Sequence, residues 1–220
     1  FLFTQTPCAL TASCLVHTGF ALSWAEVSSR VHAGVRAALA AHPAYPVVVT
    51  GHSLGGAVAT LAAAHLRADD GVPADLYTYG SPRVGNLEFA KFVSDQAEDV
   101  GGANYRVTHT DDPVPRLPPI SFNYRHVSPE YWIQEGSDRV VELDEVEYCP
   151  GYSNVECNGG TKGLDLDAHG WYFQGLYGCL PATPSLRRGE LSDEELAARL
   201  NMYAGLDVEV ARNLHAGGQS

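Results

Sequence analysis

A serine between a predicted strand and a predicted helix is the residue of this sequence best suited to chemistry. Ser53 lies within the stretch 46–60, PVVVTGHSLGGAVAT, which has the spacing G-x-S-x-G. The three valines before the motif predict a buried strand, and the alanine-rich run after it predicts a helix. A tight turn between the two would lift the hydroxyl of Ser53 off the backbone, where a base and a substrate can both reach it. The motif therefore predicts a nucleophile.

The residues on either side of this serine are also those that a nucleophile in a tight turn requires. Gly51 and Gly55 are the positions at which a side chain is expected to clash, because strand and helix pass close to each other there. The backbone N–H of Leu54 would lie at the helix N-terminus, where amide donors are unpaired and the helix dipole favours negative charge. We therefore expect Leu54 to hold the oxyanion of a reaction intermediate.

A serine nucleophile requires a histidine base, which in α/β-hydrolases follows it along the chain. The histidines considered downstream of Ser53 are His109, His126, His169 and His215. His109 and His126 fall in predicted strands, where a core or surface role is expected. His169 follows a long glycine-rich loop and precedes aromatic residues that could wall a pocket. It is a candidate base, although the residues alone leave the choice open.

The acid that orients the base is also ambiguous. Asp111 and Asp112 both come just after a predicted strand, and four prolines follow them within residues 113–119. Proline fixes the backbone and excludes helix or central strand, so this stretch is predicted to be a rigid loop. The residues do not distinguish between the two aspartates.

The elements that position these residues alternate along the chain. Helices are predicted from a capping box at Ser23 to Pro43, from the turn at Ser53 to about Arg67, and over 87–98; strands are predicted over 47–49, 76–79 and 105–109. This alternation indicates an α/β fold with a mostly parallel central sheet flanked by helices. Catalytic groups of such sheets gather at the carboxyl ends of the strands.

The second half of the chain is less regular. Residues 126–127 and 131–133 predict a hairpin with its turn at 128–130, and the acidic, glycine-rich stretch 144–167 is expected to be irregular. A capping box at Ser192 and Glu195 and a break at Gly205 predict two short amphipathic helices. Their docking is expected through Leu196, Leu200, Leu206 and Val210. We divide the chain into a core, 1–184, and a helical tail, 185–220.

Composition limits the classes of partner. The chain has 220 residues and a net charge of −12, which argues against nucleic acid and a strongly anionic membrane as partners. No apolar run approaches the length of a membrane span. Two local cysteine pairs, Cys8 with Cys14 and Cys149 with Cys157, suit disulfides of a secreted protein, and neither pair has zinc spacing. Cys179 is then left over, and the absence of an initial Met suggests a piece of a longer product.

Several motifs together carry a family resemblance. TGHSLGGA, YGSPRVGN, THTDDPVPRLPP, SPEYWI and AHGWYF follow one another in this order. Over residues 8–180 the chain resembles the secreted fungal triacylglycerol lipases of the filamentous-fungal lipase/feruloyl-esterase family. The resemblance implies an α/β-hydrolase fold, with Ser53 as nucleophile, Asp112 as acid and His169 as base. It also implies an acyl groove, for which the lining candidates are His52, Pro82, Val114, Leu117 and Phe122.

The resemblance further implies a serine carboxylic-ester hydrolase that needs no cofactor or metal. A triacylglycerol lipase acting on lipid esters at an oil–water interface is the first expectation. The alternatives are a phospholipase A1, a feruloyl esterase, and a catalytically silent fragment or binding module. In the family, a strand, a first oxyanion residue and a lid precede the equivalent of Cys8. We therefore expect the N-terminal part of the fold to be a separate segment, disulfide-linked through Cys179.

Overall fold

The described part of the chain forms a five-stranded sheet flanked by helices and a separate sheet of two strands. The computed structural model describes residues 3–136, 139–176 and 192–216. The strands are β1 Gln5–Pro7, β2 Leu15–His17, β3 Val47–His52, β4 Ala74–Tyr79, β5 Asn104–His109, β6 Glu130–Ile133 and β7 Val146–Cys149. The helices are α1 Thr18–Ala41, α2 Leu54–Asp70, α3 Leu87–Asp99, α4 Leu166–His169 and α5 Asp193–Ala216. The predicted α/β architecture is confirmed.

The register of the sheet sets the location of the chemistry. The strands lie in the order β3-β4-β5-β6-β7; β3 to β6 are parallel and β7 is antiparallel. His52 at the end of β3 pairs with Tyr79 at the end of β4, and Tyr79 in turn pairs with Val107 of β5. The loops that follow β3, β4 and β5 therefore meet at one edge of the sheet, as expected for carboxyl ends of parallel strands.

Helix α2 packs against the sheet through small side chains. Its buried residues include Ala57, Ala59, Ala62, Ala63 and Ala64. Alanine favours the helix and lets the helix axis come near the strands. Leu61 of α2 belongs to one buried cluster with Trp24 of α1 and with Phe89 and Val93 of α3. The helix that begins after Ser53 is thus anchored along its length.

Two predictions about the first half of the chain were wrong in detail. Helix α1 begins at Thr18 with His17 as its N-cap, whose Nδ1 accepts from the N–H of Gly19 at 3.1 Å. Ser23 lies inside the helix and donates to the carbonyl of Gly19. Strand β3 is not buried on both faces, since Val48 is 54% exposed; β3 is also the outermost strand of the described sheet.

The predicted hairpin at residues 126–133 is absent from the described structure. Strand β6 starts at Glu130 and pairs in parallel with β5, and its antiparallel partner is β7, within the stretch expected to be irregular. The reason is a buried ion pair, in which Arg106 Nη2 lies 3.0 Å from Glu130 Oε2. Arg106 also donates to the carbonyl of Val127 at 2.9 Å. The carbonyl of Val127 thus accepts from a buried guanidinium and does not take part in a strand ladder.

The described part of the tail, residues 192–216, forms one helix where two were predicted. Helix α5 runs through Gly205, and its buried residues are Leu200, Ala204, Asp207 and Ala211. Leu206 is 42% exposed, so its predicted docking role was wrong. The capping box is confirmed, since the Ser192 N–H donates to Glu195 and the Glu195 N–H donates to the Ser192 hydroxyl. The helix contacts the 3₁₀ turns Ile120–Phe122 and Asn158–Gly160.

A buried ion pair docks α5 on the core. Arg83 Nη1 lies 3.0 Å from Asp207 Oδ2 and also donates to the carbonyls of Arg116 and Pro118 at 2.6 and 2.9 Å. Asp207 additionally accepts from the N–H of Ile120 at 2.9 Å. Burial lowers the pKa of Arg83 to about 10, against the attraction of Asp207. Arg83 is therefore charged at neutral pH, and Asp207 is its counter-ion.

Replacing Asp207 by alanine is expected to destabilise the protein strongly. The change leaves the guanidinium of Arg83 buried without a counter-ion, which typically costs about 3–5 kcal/mol. Urea unfolding measures the loss. Glu209→Ala removes an exposed carboxylate from the same helix and is the matched control. If both variants unfold at the same urea concentration, the ion pair contributes nothing to docking.

Both local disulfides are confirmed. Cys8 pairs with Cys14 and Cys149 pairs with Cys157, with Cα–Cα distances of 5.3 and 6.6 Å. Cys179 lies outside the described residues, so its pairing stays a prediction. Among the described residues, no helix combines the length and apolar composition that crossing a bilayer requires.

Candidate active site

Ser53 occupies a strained turn between β3 and α2. Its φ is 56° and its ψ is −130°, a conformation that costs a non-glycine residue about 1–3 kcal/mol. The N–H of Ser53 donates to the carbonyl of Tyr79 at 2.9 Å, which fixes the turn to the neighbouring strand β4. The strained geometry agrees with the turn predicted from the G-x-S-x-G spacing.

The close approach of strand and helix falls on Gly51 and Gly56. A Cβ atom at Gly51 would overlap the carbonyl of Gly55, and one at Gly56 would come within 2.8 Å of Ser81 Cβ. A Cβ at Gly55 would meet no atom within 4 Å. The clash expected at Gly51 is confirmed, while that expected at Gly55 was wrong because this position faces outward from the first turn of α2.

The two glycines of the motif are therefore expected to respond differently to substitution. Gly51→Ala must push β3 away from the start of α2, and overpacking of this kind costs about 3 kcal/mol. Gly55→Ala should leave the stability unchanged or raise it, since alanine is the better helix former. Thermal unfolding of both variants tests the pair. Equal melting temperatures would contradict the role of Gly51.

A hydrogen-bonded chain joins three of the predicted site residues. The Nε2 atom of His169 lies 2.8 Å from the hydroxyl of Ser53. Its Nδ1 atom lies 2.9 and 3.1 Å from the two carboxylate oxygens of Asp112. His169 ends the short helix α4, whose first turn is capped by Asp165 through the N–H groups of Asp167 and Ala168. The structure thus brings a hydroxyl, an imidazole and a carboxylate into line.

Asp112, and not Asp111, faces the imidazole. Asp112 is fully buried and accepts from the N–H of Val114 at 2.9 Å. Asn158 donates to its backbone carbonyl at 3.0 Å, so the loop itself is held in place. Asp111 is half-buried, and its backbone carbonyl accepts from Arg116. The geometry distinguishes the two aspartates that the residues left ambiguous.

Tyr172 is a site residue that sequence reasoning missed. Its hydroxyl donates to Asp112 Oδ2 at 2.5 Å. Burial, followed by the charge of Asp112, raises the pKa of Tyr172 well above its usual value, so the hydroxyl stays protonated and can only donate to the carboxylate. The sequence indicated a pocket wall of aromatics after His169 but nothing that singled out this hydroxyl.

A glycine makes room for this arrangement. Gly80 has a φ of 58°, and a Cβ there would lie 2.9 Å from both Asp112 Oδ2 and the Tyr172 hydroxyl. It would also lie 3.1 Å from His169 Nδ1. The loop after β4 therefore lies so close to the carboxylate that it leaves no room for a side chain at position 80.

His52 lies beside the imidazole of His169. Its Nε2 atom is 2.7 Å from the backbone carbonyl of His169, and the two rings are 4.6 Å apart. Burial and the neighbouring His169 lower the pKa of His52, so this ring is neutral at neutral pH. Because a carbonyl oxygen can only accept, Nε2 of His52 carries the proton. His52 thus braces the backbone that carries His169.

The other predicted groove residues lie on the loops around the site. Pro82 is buried, and Val114 and Leu117 are half-buried. Phe122 is 48% exposed and packs edge-on against Phe3 and Tyr203. Leu54 is the first residue of α2, and its side chain is 54% exposed. Contact of these residues with an acyl chain stays a prediction, as does the oxyanion role of Leu54.

Comparisons with known proteins agree with this architecture. The family model described as lipase (class 3) matches residues 1–122. The secreted mono- and diacylglycerol lipase 1 of Fusarium solani is 54% identical over 215 residues, 97% of this chain and 63% of its own. The secreted mono- and diacylglycerol lipase A of Penicillium cyclopium is 44% identical over 175 residues, 78% of this chain and 55% of its own. The chain thus spans between 55% and 63% of the length of these relatives.

Solved structures of fungal lipases are also similar to this chain. The mono- and diacylglycerol lipase from Aspergillus oryzae superimposes with a TM-score of 0.73 at 41% identity, covering 79% of this chain and 64% of that one. Lipase II from Rhizopus niveus superimposes with a TM-score of 0.70 at 33% identity, covering 80% and 66%. The sheet is that of the α/β-hydrolase fold shared by these fungal lipases. The resemblance inferred from the motifs is confirmed, and the chain belongs to the class 3 lipase family.

Proposed function

We propose that this protein is a lipase, a serine carboxylic-ester hydrolase that acts through an acyl-enzyme on Ser53. The observation that carries the proposal is the hydrogen-bonded chain from the Ser53 hydroxyl through His169 to the buried carboxylate of Asp112. Such an arrangement of nucleophile, base and orienting acid activates a hydroxyl that is otherwise a weak nucleophile.

Each of the three hydrogen-bonded residues has a distinct role in the proposed reaction. His169 Nε2 takes the proton of Ser53 as the serine oxygen attacks the ester carbonyl. The same nitrogen then protonates the leaving alcohol, and the acyl group stays on Ser53. Water, deprotonated by His169, attacks the acyl-enzyme, releases the fatty acid and restores the serine. Asp112 remains ionised, holds Nδ1–H in place and stabilises the imidazolium that forms in both steps.

The negative oxygen of the intermediates would be held at the N-terminus of α2. Leu54 is the first residue of that helix, so its backbone N–H is one of the N-terminal donors that lack an intrahelical partner, at the end where the helix dipole favours an anion. Removing one such donor typically costs a factor of about 10²–10³ in kcat. We assign the oxyanion role to the backbone of Leu54 and the acyl groove to His52, Pro82, Val114, Leu117 and Phe122.

Acylglycerols are the proposed substrates, and the relatives favour those with one or two acyl chains. The Fusarium and Penicillium proteins are named mono- and diacylglycerol lipases, whereas the sequence motifs led us to expect triacylglycerol. Hydrolysis of monoolein, diolein and triolein emulsions, with lecithin and methyl ferulate beside them, ranks the possible classes. Faster turnover of triolein than of diolein would return the assignment to a triacylglycerol lipase, and turnover of lecithin alone would indicate a phospholipase.

The proposed environment is extracellular. Both relatives are named secreted lipases, and the two disulfides of this chain form and persist in oxidising surroundings. The division into a core, 1–184, and a tail, 185–220, is likewise kept as a proposal. Detection of the protein in culture medium, with no free thiol at the four paired cysteines, tests the environment.

Covalent labelling is the direct test of the reaction. A diethyl-phosphorylating organophosphate should modify one residue, and peptide mass spectrometry should place the added mass on Ser53. The His169→Ala variant is the control, because without the base the hydroxyl should react far more slowly. If Ser53 is not labelled in the folded protein, the chain is a catalytically silent lipase-like module.

Removing the hydroxyl of Tyr172 is expected to lower the activity moderately. Tyr172→Phe deletes one hydrogen bond to the ionised Asp112. The loss of this hydrogen bond is expected to lower kcat about tenfold and to leave KM unchanged. Steady-state kinetics on a soluble ester separates the two parameters. Tyr77→Phe, whose ring stacks on Tyr105 in the sheet, is the matched control. An unchanged kcat would mean that Asp112 needs no help from Tyr172.

A further inference from the structure

A side-chain amide from a distant part of the chain holds the loop of the proposed acid. The NH₂ group of Asn158 donates to two backbone carbonyls, that of Thr110 at 3.2 Å and that of Asp112 at 3.0 Å. Carbonyl oxygens can only accept, so the nitrogen of the amide, and not its oxygen, faces them. Asn158 is only 1% exposed, so bulk water does not compete for the two carbonyls.

The loop requires this support because its backbone is strained. Thr110 has a φ of 37°, on the left-handed side that residues other than glycine rarely adopt. Such a conformation persists only where the surrounding structure holds it. The carbonyl of Thr110 also accepts from the indole N–H of Trp132 at 2.9 Å, so this carbonyl has two donors, Trp132 and Asn158. Loss of the second donor would let the segment that carries Asp112 move.

Asn158 is itself fixed by a disulfide and a buried carboxylate. It directly follows Cys157, which is bonded to Cys149 of β7. Cys149 pairs in register with Glu130 of β6, and the N–H of Asn158 donates to Glu130 Oε1 at 3.3 Å. One covalent cross-link and one hydrogen bond thus attach the backbone at Asn158 to the last two strands of the sheet.

We propose that Asn158, anchored by the Cys149–Cys157 disulfide, is a positioning residue for Asp112. This inference rests on the proposed function, in which Asp112 holds Nδ1–H of His169 and stabilises the imidazolium. The amide of Asn158 bonds the backbone of Asp112, whereas the carboxylate bonds His169 at 2.9 and 3.1 Å. Asn158 therefore acts through the backbone from which the carboxylate projects, and small displacements of a catalytic group are costly in rate.

Steady-state kinetics of Asn158→Ala tests the proposal. On a soluble ester, kcat should fall about tenfold and KM should stay unchanged, because the acid contributes to the reaction steps and not to binding of the ester. Asn154→Ala is the matched control, since Asn154 lies in the same disulfide loop and its side chain donates to the carbonyl of Pro150. Circular dichroism verifies that both variants are folded. An unchanged kcat in folded Asn158→Ala overturns the proposal.

A double-mutant cycle separates the positioning of Asp112 from a general loss of structure. In an Asp112→Asn background, the further change Asn158→Ala should cost less than about twofold, because the carboxylate through which it acts is already gone. The rate at which an organophosphate labels Ser53 gives the same comparison for variants too slow to assay by turnover. Full additivity of the two substitutions would show that Asn158 acts elsewhere and would overturn the assignment.

The two disulfides provide a second matched pair of variants. Replacement of both Cys149 and Cys157 by serine should lower kcat about as much as Asn158→Ala does, because the turn at Asn158 loses its anchor. Replacement of both Cys8 and Cys14 by serine removes a disulfide near α1 and should leave kcat unchanged. Equal kcat values in the two disulfide variants would overturn the anchoring role.

The low-field proton NMR signal of His169 Nδ1–H distinguishes this inference from the proposed function. Its position reports the hydrogen bond to Asp112 and requires no turnover. The signal should move in Asn158→Ala and stay in place in Asn154→Ala. A wild-type protein that shows this difference but hydrolyses no ester keeps the positioning role of Asn158 and loses the proposed function. The same signal in wild type and Asn158→Ala would refute the positioning role.

Discussion

Replacement of Ser53 by alanine is expected to lower kcat/KM for ester hydrolysis by a factor on the order of 10⁶. The variant keeps His169, Asp112 and the helix N-terminus but has no oxygen to form the acyl-enzyme. In serine hydrolases the loss of the nucleophile alone costs about as much as loss of the whole catalytic set, and a residual rate persists from binding and the oxyanion site. Initial rates on a chromogenic ester give the ratio.

The stability of this variant serves as the internal control. Alanine and serine are equally strained at a φ of 56°, so the urea midpoint should move little. An inactive and folded Ser53→Ala protein separates chemistry from structure. Activity within tenfold of the wild type, in material free of host esterases, would eliminate the proposed nucleophile.

Replacement of Asp112 by asparagine is expected to lower kcat by a factor on the order of 10⁴. The amide keeps the shape of the side chain but removes the charge that stabilises the imidazolium, and it allows the wrong tautomer of His169. Asp112 is fully buried, so solvent cannot replace the lost charge. Steady-state kinetics at neutral pH measures the effect.

Asp111→Asn is the matched control for this experiment. Asp111 precedes Asp112 in the same loop, and among the described residues its carboxylate has no hydrogen bond with His169, which bonds to Asp112 instead. Its replacement should change kcat by less than about threefold, as is usual for a side chain outside the reacting chain of hydrogen bonds. Comparable losses from both substitutions would show that the loop, and not one carboxylate, is what the reaction requires.

The sequence predicted the nucleophile more sharply than its partners. Ser53 belongs to a local motif, in which the strand, the turn and the helix all follow one another within a few residues. His169 is 116 residues away from it, and no local pattern indicates which histidine lies beside the serine in the folded protein. The residues alone left the base and the acid open, and the family motifs resolved both. Tyr172 could not be found at all, because its role depends on a hydrogen bond across the folded loop to Asp112.

The elements that were wrongly predicted share a cause. The hairpin at 126–133 and the break in α5 were inferred from turn-forming residues and local periodicity. In the structure, Arg106 forms a buried ion pair with Glu130, and Arg83 forms one with Asp207. A buried guanidinium must find a counter-ion and carbonyl acceptors, and this requirement overrides weak local preferences such as the one against glycine within a helix. Patterns of hydrophobic spacing do not contain such long-range pairs.

The docking of α5 through Asp207 has a consequence for how the protein unfolds. Detaching this helix exposes its apolar face and also removes the counter-ion of Arg83. The charged guanidinium then remains buried beneath the loop that carries Asp112. A helix that supplies the counter-ion of a core arginine cannot fray away independently at low free-energy cost. Helix α5 and the sheet are therefore expected to melt together, and a protease can cut α5 only when the whole cooperative unit opens.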